Sequence, residues 1–438
     1  MKRSFFCSLF GQSKKVRASP KDYDPNMNFE RLTWESHAAS CQHIGNFNTY
    51  YHMSQTQFET LYSIVSAAME TNTIKGNNAT PMGHVQGIVK FACTLRILYG
   101  EKIKSLAQIF HISIATVKLA FKDGVGAIVD SPTLNFGGTA TLEQCKIRAQ
   151  GFLRRSNYPE IFAHCVSAVD GLAVRISCPK EEENQKAYYS GHKKFYCLNL
   201  QAACDSNCMF THFSLNCPGS ATDLLAYRKS QMSVDFATLP MPFWVAGDNA
   251  YPDGDHLLTP FTNAFQSSPE DSFNFYLSQL RITIERAFGI MVTLFGILQS
   301  AIKNRVPFTV KIVQACMRVH NYRIAAGCQP PRRSACINYA DPSLQCTDLL
   351  MADPRFQTDP VASTPRLIVQ AVQQHFETTA LRRESMCDLL REAGGERPVG
   401  NVAQQQRELD RAMRYAVRHY YLLTPIRCWK FAITLEIS

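Results

Sequence analysis

Ile161-Phe-Ala-His-Cys-Val-Ser-Ala-Val169, closed by Asp170 and Gly171, is the stretch on which the fold turns. It is an apolar run that stops at an acid, and it reads as a buried strand. Downstream, residues 194–203 alternate, Asp205-Ser206-Asn207 supplies a polar turn, and 209–215 follows, which is the pattern of a β-hairpin. Phe243-Trp-Val-Ala246 is another short apolar run, ending in Gly247-Asp248. Over 273–298 the period changes. Leu277, Leu280, Ile284, Phe288, Met291 and Phe295 recur at three and four, the mark of a long helix. Strand, hairpin, strand and helix together predict an α/β domain.

The chain ahead of this domain reads as helical. Ser54 and Gln57 form a capping box for a helix over 54–70, with Phe58, Leu61, Ile64, Val65 and Ala68 on one face. Thr80-Pro81 opens a second helix bearing Val85, Ile88, Val89, Ala92 and Leu95. In 105–122, Ser105 caps a short helix packed through Leu106, Ile109 and Phe110. Ile112 fills a turn, and Ser113 caps a helix packed through Val117, Ala120 and Phe121. That is a helix-turn-helix pattern. Thr116, Lys118 and Lys122 point outward, where a recognition helix carries its groove and phosphate contacts. Ordinary helical packing accounts for the same pattern. Residues 132–151 read as a link.

The chain has 438 residues, of which 45% are hydrophobic and 19% charged, a balance that excludes wholesale disorder. No apolar run reaches the roughly 18 residues of a membrane span. The net charge of +10 favours a polyanionic partner. Lys2, Arg3, Lys14, Lys15, Arg17 and Lys21 precede the first acid, Asp22, which fits a solvated tail, a nuclear import signal or a phosphate-grasping arm. The early apolar run is short and basic residues stand where a cleavage site belongs, so export is not expected. The sixteen cysteines are then expected as thiols. Cys204, Cys208, Cys328, Cys336 and Cys346 give no paired zinc knuckles. Past 330 the pattern weakens. Gly394-Gly395 suggests a hinge, and 401–422 a helix with Arg407, Arg411, Arg414 and Arg418 on one face.

The acids carry the chemistry. Asp170 and Asp248 end apolar runs, and Glu285 sits one position after the buried Ile284. An acid at the margin of a buried face is unfavourable unless something compensates it. Convergent carboxylates bind Mg²⁺ or Mn²⁺ well, and two such ions about 3.5–4 Å apart suit phosphodiester chemistry. Each acid also has a plainer reading. Asp170 and Asp248 suit tight turns, and Glu285 suits a pair with Arg281 at i−4. Asp223, in Pro218-Gly-Ser-Ala-Thr-Asp223, is a fourth candidate that equally suits the cap of a short helix, with Ser220 three residues before it. Asp205 reads as a turn residue.

Val169-Asp170-Gly171, Asn199-Leu-Gln-Ala-Ala-Cys-Asp205, Pro218-Gly-Ser-Ala-Thr-Asp223, Gly247-Asp248-Asn-Ala-Tyr251, Thr259-Pro260, Ile284-Glu285-Arg286-Ala-Phe-Gly289 and His320-Asn321 occur in this order. Over about 55–325 the chain resembles the PIF/Harbinger transposases and the Harbinger transposase-derived nucleases of animals. The resemblance implies an RNase H-like DDE nuclease domain preceded by a small helical helix-turn-helix domain. It makes Asp170, Asp248 and Glu285 a catalytic triad and adds Asp223 as a further acid for metal. The implied activity is that of a DNA endonuclease using Mg²⁺ or Mn²⁺, in which water attacks a phosphodiester in line and leaves a 3′-hydroxyl, with strand transfer to follow in a transposase. It also implies a separate Myb-like partner protein and work in the nucleus, with the cytoplasm as a second compartment. The family's Arg-Lys-Gly is replaced by Gly191-His192-Lys193-Lys194, so Lys193 and Lys194 are the candidate DNA grip there. Thr222 stands where a His is usual. The expected division is a basic leader over 1–50, a helical domain over 51–130, the nuclease domain over 131–330, and a C-terminal extension with a basic helix over 331–438. The competing expectation is a domesticated DNA-binding or adaptor protein that has lost cutting.

Overall fold

The computed structural model describes residues 31–70, 84–138, 140–328 and 383–397. The basic residues before Asp22, the Thr80-Pro81 helix start, Cys336, Cys346 and the arginine face over 401–422 lie outside these.

The helical region begins earlier than the hydrophobic pattern suggests. Residues 34–51, which show no sustained period, form α1 (Trp34–His43) and α2 (Phe47–Tyr51). Trp34 stacks on Phe58 with ring centroids 4.6 Å apart, and Phe47 and Tyr51 close the aromatic cluster. α3 (Gln55–Met69) carries the predicted capping box in full. α4 (Gly87–Leu98) starts later than expected and is buried nearly all round its second half. A helix enclosed on every side shows no amphipathic face from which to read its start.

α5 (Ile103–Ile109) and α6 (Ile114–Asp130) form the predicted helix pair, with Ile112 in the turn. Ser113 caps α6 by accepting the Thr116 N–H at 3.0 Å. Ser105 is not a cap. It lies inside α5, because Ile103 packs against the core and draws the helix start forward to Lys102. The expected link contains α7 (Leu142–Leu153), which has its own capping box from Thr141 and Gln144.

The sheet is built on β1 (Cys165–Arg175). β3 (Phe195–Cys204) and β4 (Phe210–Pro218) make the predicted hairpin, and β2 (Tyr189–Ser190) pairs with the start of β3. β5 (Trp244–Ala246) and the two-residue β6 (Leu257–Leu258) complete it. The order is β2-β3-β1-β5-β6, with β4 also on β3. β1 runs antiparallel to β3 and parallel to β5, and β5 is parallel to β6. Three antiparallel strands followed by two parallel ones, with helices on both faces, is the RNase H-like arrangement. The domain is therefore α/β, preceded by a helical region.

α10 (Pro269–Leu294), opened by Ser268, packs on β1. Its core residues join Ala168, Leu172, Ala202 and Trp244 in one cluster. On the other face, α7, α8 (Asp223–Arg228) and α9 (Gln231–Ala237) enclose Val166, Val169, Ala203 and Val245. α11 (Val306–Ala325) ties the sheet to the helical region. Arg318 donates to the carbonyls of Ile128 and Ser131 at 3.2 and 2.7 Å, and Tyr322 Oη to the Gln57 carbonyl at 2.7 Å. His320 and Asn321 are fasteners of this helix. Asn321 exchanges two hydrogen bonds with the Phe210 backbone, and His320 Nε2 lies 2.9 Å from the Cys208 carbonyl.

From the C-terminal part of the chain, α12 (Arg383–Glu392) docks on α10 through Met386, Cys387 and Leu390. Arg397 pairs with Asp271, Tyr276 Oη donates to the Glu396 carbonyl, and Arg383 pairs with Asp253 at 3.3 Å. Gly394 has φ +69° and ends this helix, at the place where a hinge was expected. The cysteines among the described residues are free thiols. No helix among the described residues is long and apolar enough to cross a membrane.

Candidate active site

The strand register brings the first two acids together. Ala168 on β1 pairs with Ala246 on parallel β5, so Asp170 and Asp248 each lie two positions beyond the same rung. Neighbouring strands are about 4.8 Å apart, and residues two positions apart share a face. Asp170 does not end its strand, as the sequence pattern suggests. β1 continues to Arg175 because β3 pairs with it all the way, Asp170 opposite Ala202. Asp248 does follow the end of β5. Each carboxylate accepts a nearby backbone N–H: Asp170 from Gly171 at 2.8 Å and Asp248 from Ala250 at 2.9 Å.

Glu285 reaches the same site from α10. Burial pushes the Asp170 carboxyl up to about 7. Arg281 pulls it down, and Glu285 and Asp248 push it up further. Asp248 is raised as well, by burial first, with Asp223 and Glu285 adding to it and Arg281 opposing. Effects of this kind operate between near neighbours in a poorly solvated place.

Arg281 stands in the middle of them. Its Nη1 donates to Glu285 Oε1 at 2.6 Å, the i−4 pairing that the sequence allowed, and the two side chains are 16% and 17% exposed. Burial works against its charge, but Glu285, Asp170 and Asp248 outweigh that and hold the guanidinium above its ordinary value.

Asp223 approaches from the other face of the sheet. It is the first residue of α8, whose cap is Thr222, with Oγ1 accepting the Leu225 N–H at 3.3 Å; Ser220 is not the cap. Asp223 Oδ1 accepts from Asn199 Nδ2 at 3.0 Å and Gln201 Nε2 at 2.9 Å. Tyr251 Oη donates to Gln201 Oε1 at 2.6 Å. Gly171 is what lets Asp223 in: a Cβ there would collide with Asp223 Oδ1 and come within 2.8 Å of Gln201 Nε2. Asn199, Gln201 and Tyr251 occur in the sequence motifs, but their joint role depends on cross-strand contacts that no spacing displays.

The candidate DNA contacts lie elsewhere. Lys118 and Lys122 are exposed on α6 and Thr116 is half-buried, its N–H spent on the Ser113 cap. Lys122 borders an open groove with Asp123, Asp130, Phe308 and Lys311. Lys193 and Lys194 occupy the turn between β2 and β3, with Lys194 at φ +62°. Along β3 this turn is roughly 25 Å from the Asp170 level, at 3.3 Å per residue. The structure thus sets Asp170 beside Asp248 on the face that α10 covers with Glu285, brings Asp223 in from the other face, and leaves the lysines outside.

Residues 169–321 match the family model of the DDE superfamily endonucleases. The chain is similar in this stretch to the DDE superfamily endonucleases. It is similar to the Protein ALP1-like of Arabidopsis thaliana, at 22% identity over 296 residues, covering 63% of this chain and 70% of that protein. No solved structure matches the chain significantly. The matched stretch begins one residue before Asp170 and ends at Asn321, so it contains all four acids.

Divalent ions are the ordinary cofactors of DDE endonucleases, and the donor set suits them. It is all oxygen, and burial, with the neighbouring acids adding to it, holds Asp170 and Asp248 above the ordinary carboxylate range. As they stand, no three His, Cys, Asp or Glu side chains among the described residues converge closely enough to hold an ion. The pairing of Glu285 with Arg281 is the contact that would have to change.

Proposed function

We propose that this chain is a metal-dependent DNA endonuclease that hydrolyses phosphodiester bonds, with strand transfer as its further step if it acts as a transposase. The supporting observation is the register of parallel β1 and β5, which sets Asp170 beside Asp248 just past the end of β5, with Glu285 brought to the same face by α10. Asp170, Asp248 and Glu285 would hold Mg²⁺ or Mn²⁺, with Asp223 at the margin. When bound, such ions activate water and neutralise charge on the scissile phosphate. The protein's share is orientation. The Gly171 and Ala250 amides fix the two aspartates, and the Asn199–Gln201–Tyr251 chain of hydrogen bonds fixes Asp223. Partners of this kind set how well carboxylates serve a metal.

DNA is the substrate in this reading. Thr116, Lys118, Lys122, Lys193 and Lys194 contact its backbone, the nucleus is where the chain works, and a Myb-like protein assists it at DNA ends. Incubation with supercoiled plasmid and Mn²⁺ or Mg²⁺ tests the chemistry. The intact chain should nick, and Asp248→Ala should lose about a hundredfold or more of the rate. Equal nicking by both would assign the cutting to a contaminant.

The Arg281–Glu285 pair favours one other reading, a DNA-binding or adaptor descendant that no longer cuts. Tight binding to DNA ends without any nicking, in either metal, would decide for it.

A further inference from the structure

We propose that Arg281 is a resident counter-cation of the acid cluster, and that a divalent ion is admitted only as this guanidinium gives up Glu285. The inference rests on the metal-dependent reading above and says how the site is kept in its ion-free state.

Three observations carry it. Arg281 Nη1 is bonded to Glu285 Oε1 at 2.6 Å, with both side chains largely buried. The register puts Asp170 and Asp248 on the face that α10 covers, so one guanidinium serves three carboxylates that come from β1, the turn after β5 and a helix. The acids, so arranged, do not form a cluster ready to hold an ion. Buried carboxylates repel one another unless a positive charge lies among them. In the ion-free protein Arg281 supplies that charge. A guanidinium and a divalent ion answering the same carboxylates are antagonists, since like charges a few ångströms apart repel strongly in a poorly solvated site. Arg281 and Glu285 are one helical turn apart, so a change of side-chain rotamer alone separates them.

The opposing possibility is equally concrete. If Arg281 is a strut that aims Glu285 at the metal, ion and guanidinium coexist, and losing the arginine weakens ion binding.

Mn²⁺ binding to the full chain separates the two, read from the electron paramagnetic resonance signal of free Mn²⁺ and by calorimetry, without any DNA. Arg281→Met should bind Mn²⁺ at least tenfold more tightly than the intact chain. Arg281→Lys keeps the charge and should stay within about threefold of it. In the absence of metal, Arg281→Met should melt below the intact chain, and saturating Mn²⁺ should narrow that gap. Unchanged or weaker Mn²⁺ binding by a folded Arg281→Met would overturn the proposal while leaving the endonuclease reading in place. Should Arg281→Met fail to fold, Arg281→Gln replaces it, with the same expected direction. Absence of Mn²⁺ binding by the intact chain and every variant would remove the metal-dependent reading and this proposal with it.

Discussion

Replacing Gly171 by alanine should disable the acid site without touching an acid. The added Cβ would overlap Asp223 Oδ1 and lie 2.8 Å from Gln201 Nε2 and 2.9 Å from Asp223 Cγ. Asp223 has little room to yield, because its backbone is the first residue of α8 and its Oδ1 is held by Asn199 and Gln201. Overpacking of this kind costs about 1–3 kcal/mol. Displacing the carboxylate also breaks two hydrogen bonds to a charged acceptor, worth about 1.5–3 kcal/mol each at most. A loss of roughly 3–5 kcal/mol in unfolding free energy is therefore expected, measured by urea titration. Gly191→Ala is the control, since a Cβ there meets nothing within 4 Å and its backbone is ordinary; it should stay within about 0.5 kcal/mol of the intact chain. The double variant Gly171→Ala with Asp223→Ala should recover part of the loss, because the obstacle is gone and neighbouring substitutions do not add. A Gly171→Ala protein as stable as Gly191→Ala would refute this account of how Asp223 is seated.

Arg318→Leu should destabilise the fold by about 3 kcal/mol in the same titration, since it strips buried carbonyls of Ile128 and Ser131 and the Asn135 side chain of their donor. A change below 1 kcal/mol would show that α11 and the helical region are held by apolar packing alone. His320 is lowered to about 4 by burial, so the unfolded chain binds its proton first as pH falls. Its contribution is whole above about pH 6.5 and drains away towards pH 4, and His320→Gln should flatten the stability curve over that window by up to one proton. An unchanged slope would mean that His320 is solvated. Leu390→Ala, which empties a fully buried position between α12 and α10, should cost about 2–5 kcal/mol if the two unfold together. Protease cleavage near α12 with no loss in the main transition would show instead that α12 undocks by itself.

Much of the α/β domain is legible in the chain because its elements are long or strictly patterned. The hairpin alternates, and α10 repeats its apolar residues every three or four positions for about five turns. The readings that fail do so where tertiary contact overrides a local signal. Ser105 looks like a cap, yet Ile103 finds a place in the core and the helix starts without it. β6 has two residues and exists only because β5 offers it an edge. α1, α2 and α7 are missed because aromatic clustering and a capping box, not period, hold them. At the site, the acids were visible as acids ending apolar runs. What surrounds them was not: that Arg281 serves three carboxylates, or that Gln201 links Tyr251 to Asp223, is a property of the assembled sheet.

The docking of α12 also bears on where this chain can be cut. A fragment trimmed to the stretch that matches the endonuclease family ends at Asn321, and one ending at Cys328 is hardly longer. Either would strip the cover from the first turns of α10, leaving bare the apolar seat of Met386 and Leu390 and taking the Glu396 carbonyl away from the Tyr276 hydroxyl. Asp271 and Asp253 would lose their arginines in the same stroke. What looks like a minimal domain would be an adhesive one, with its sticky patch on the very helix that carries Glu285.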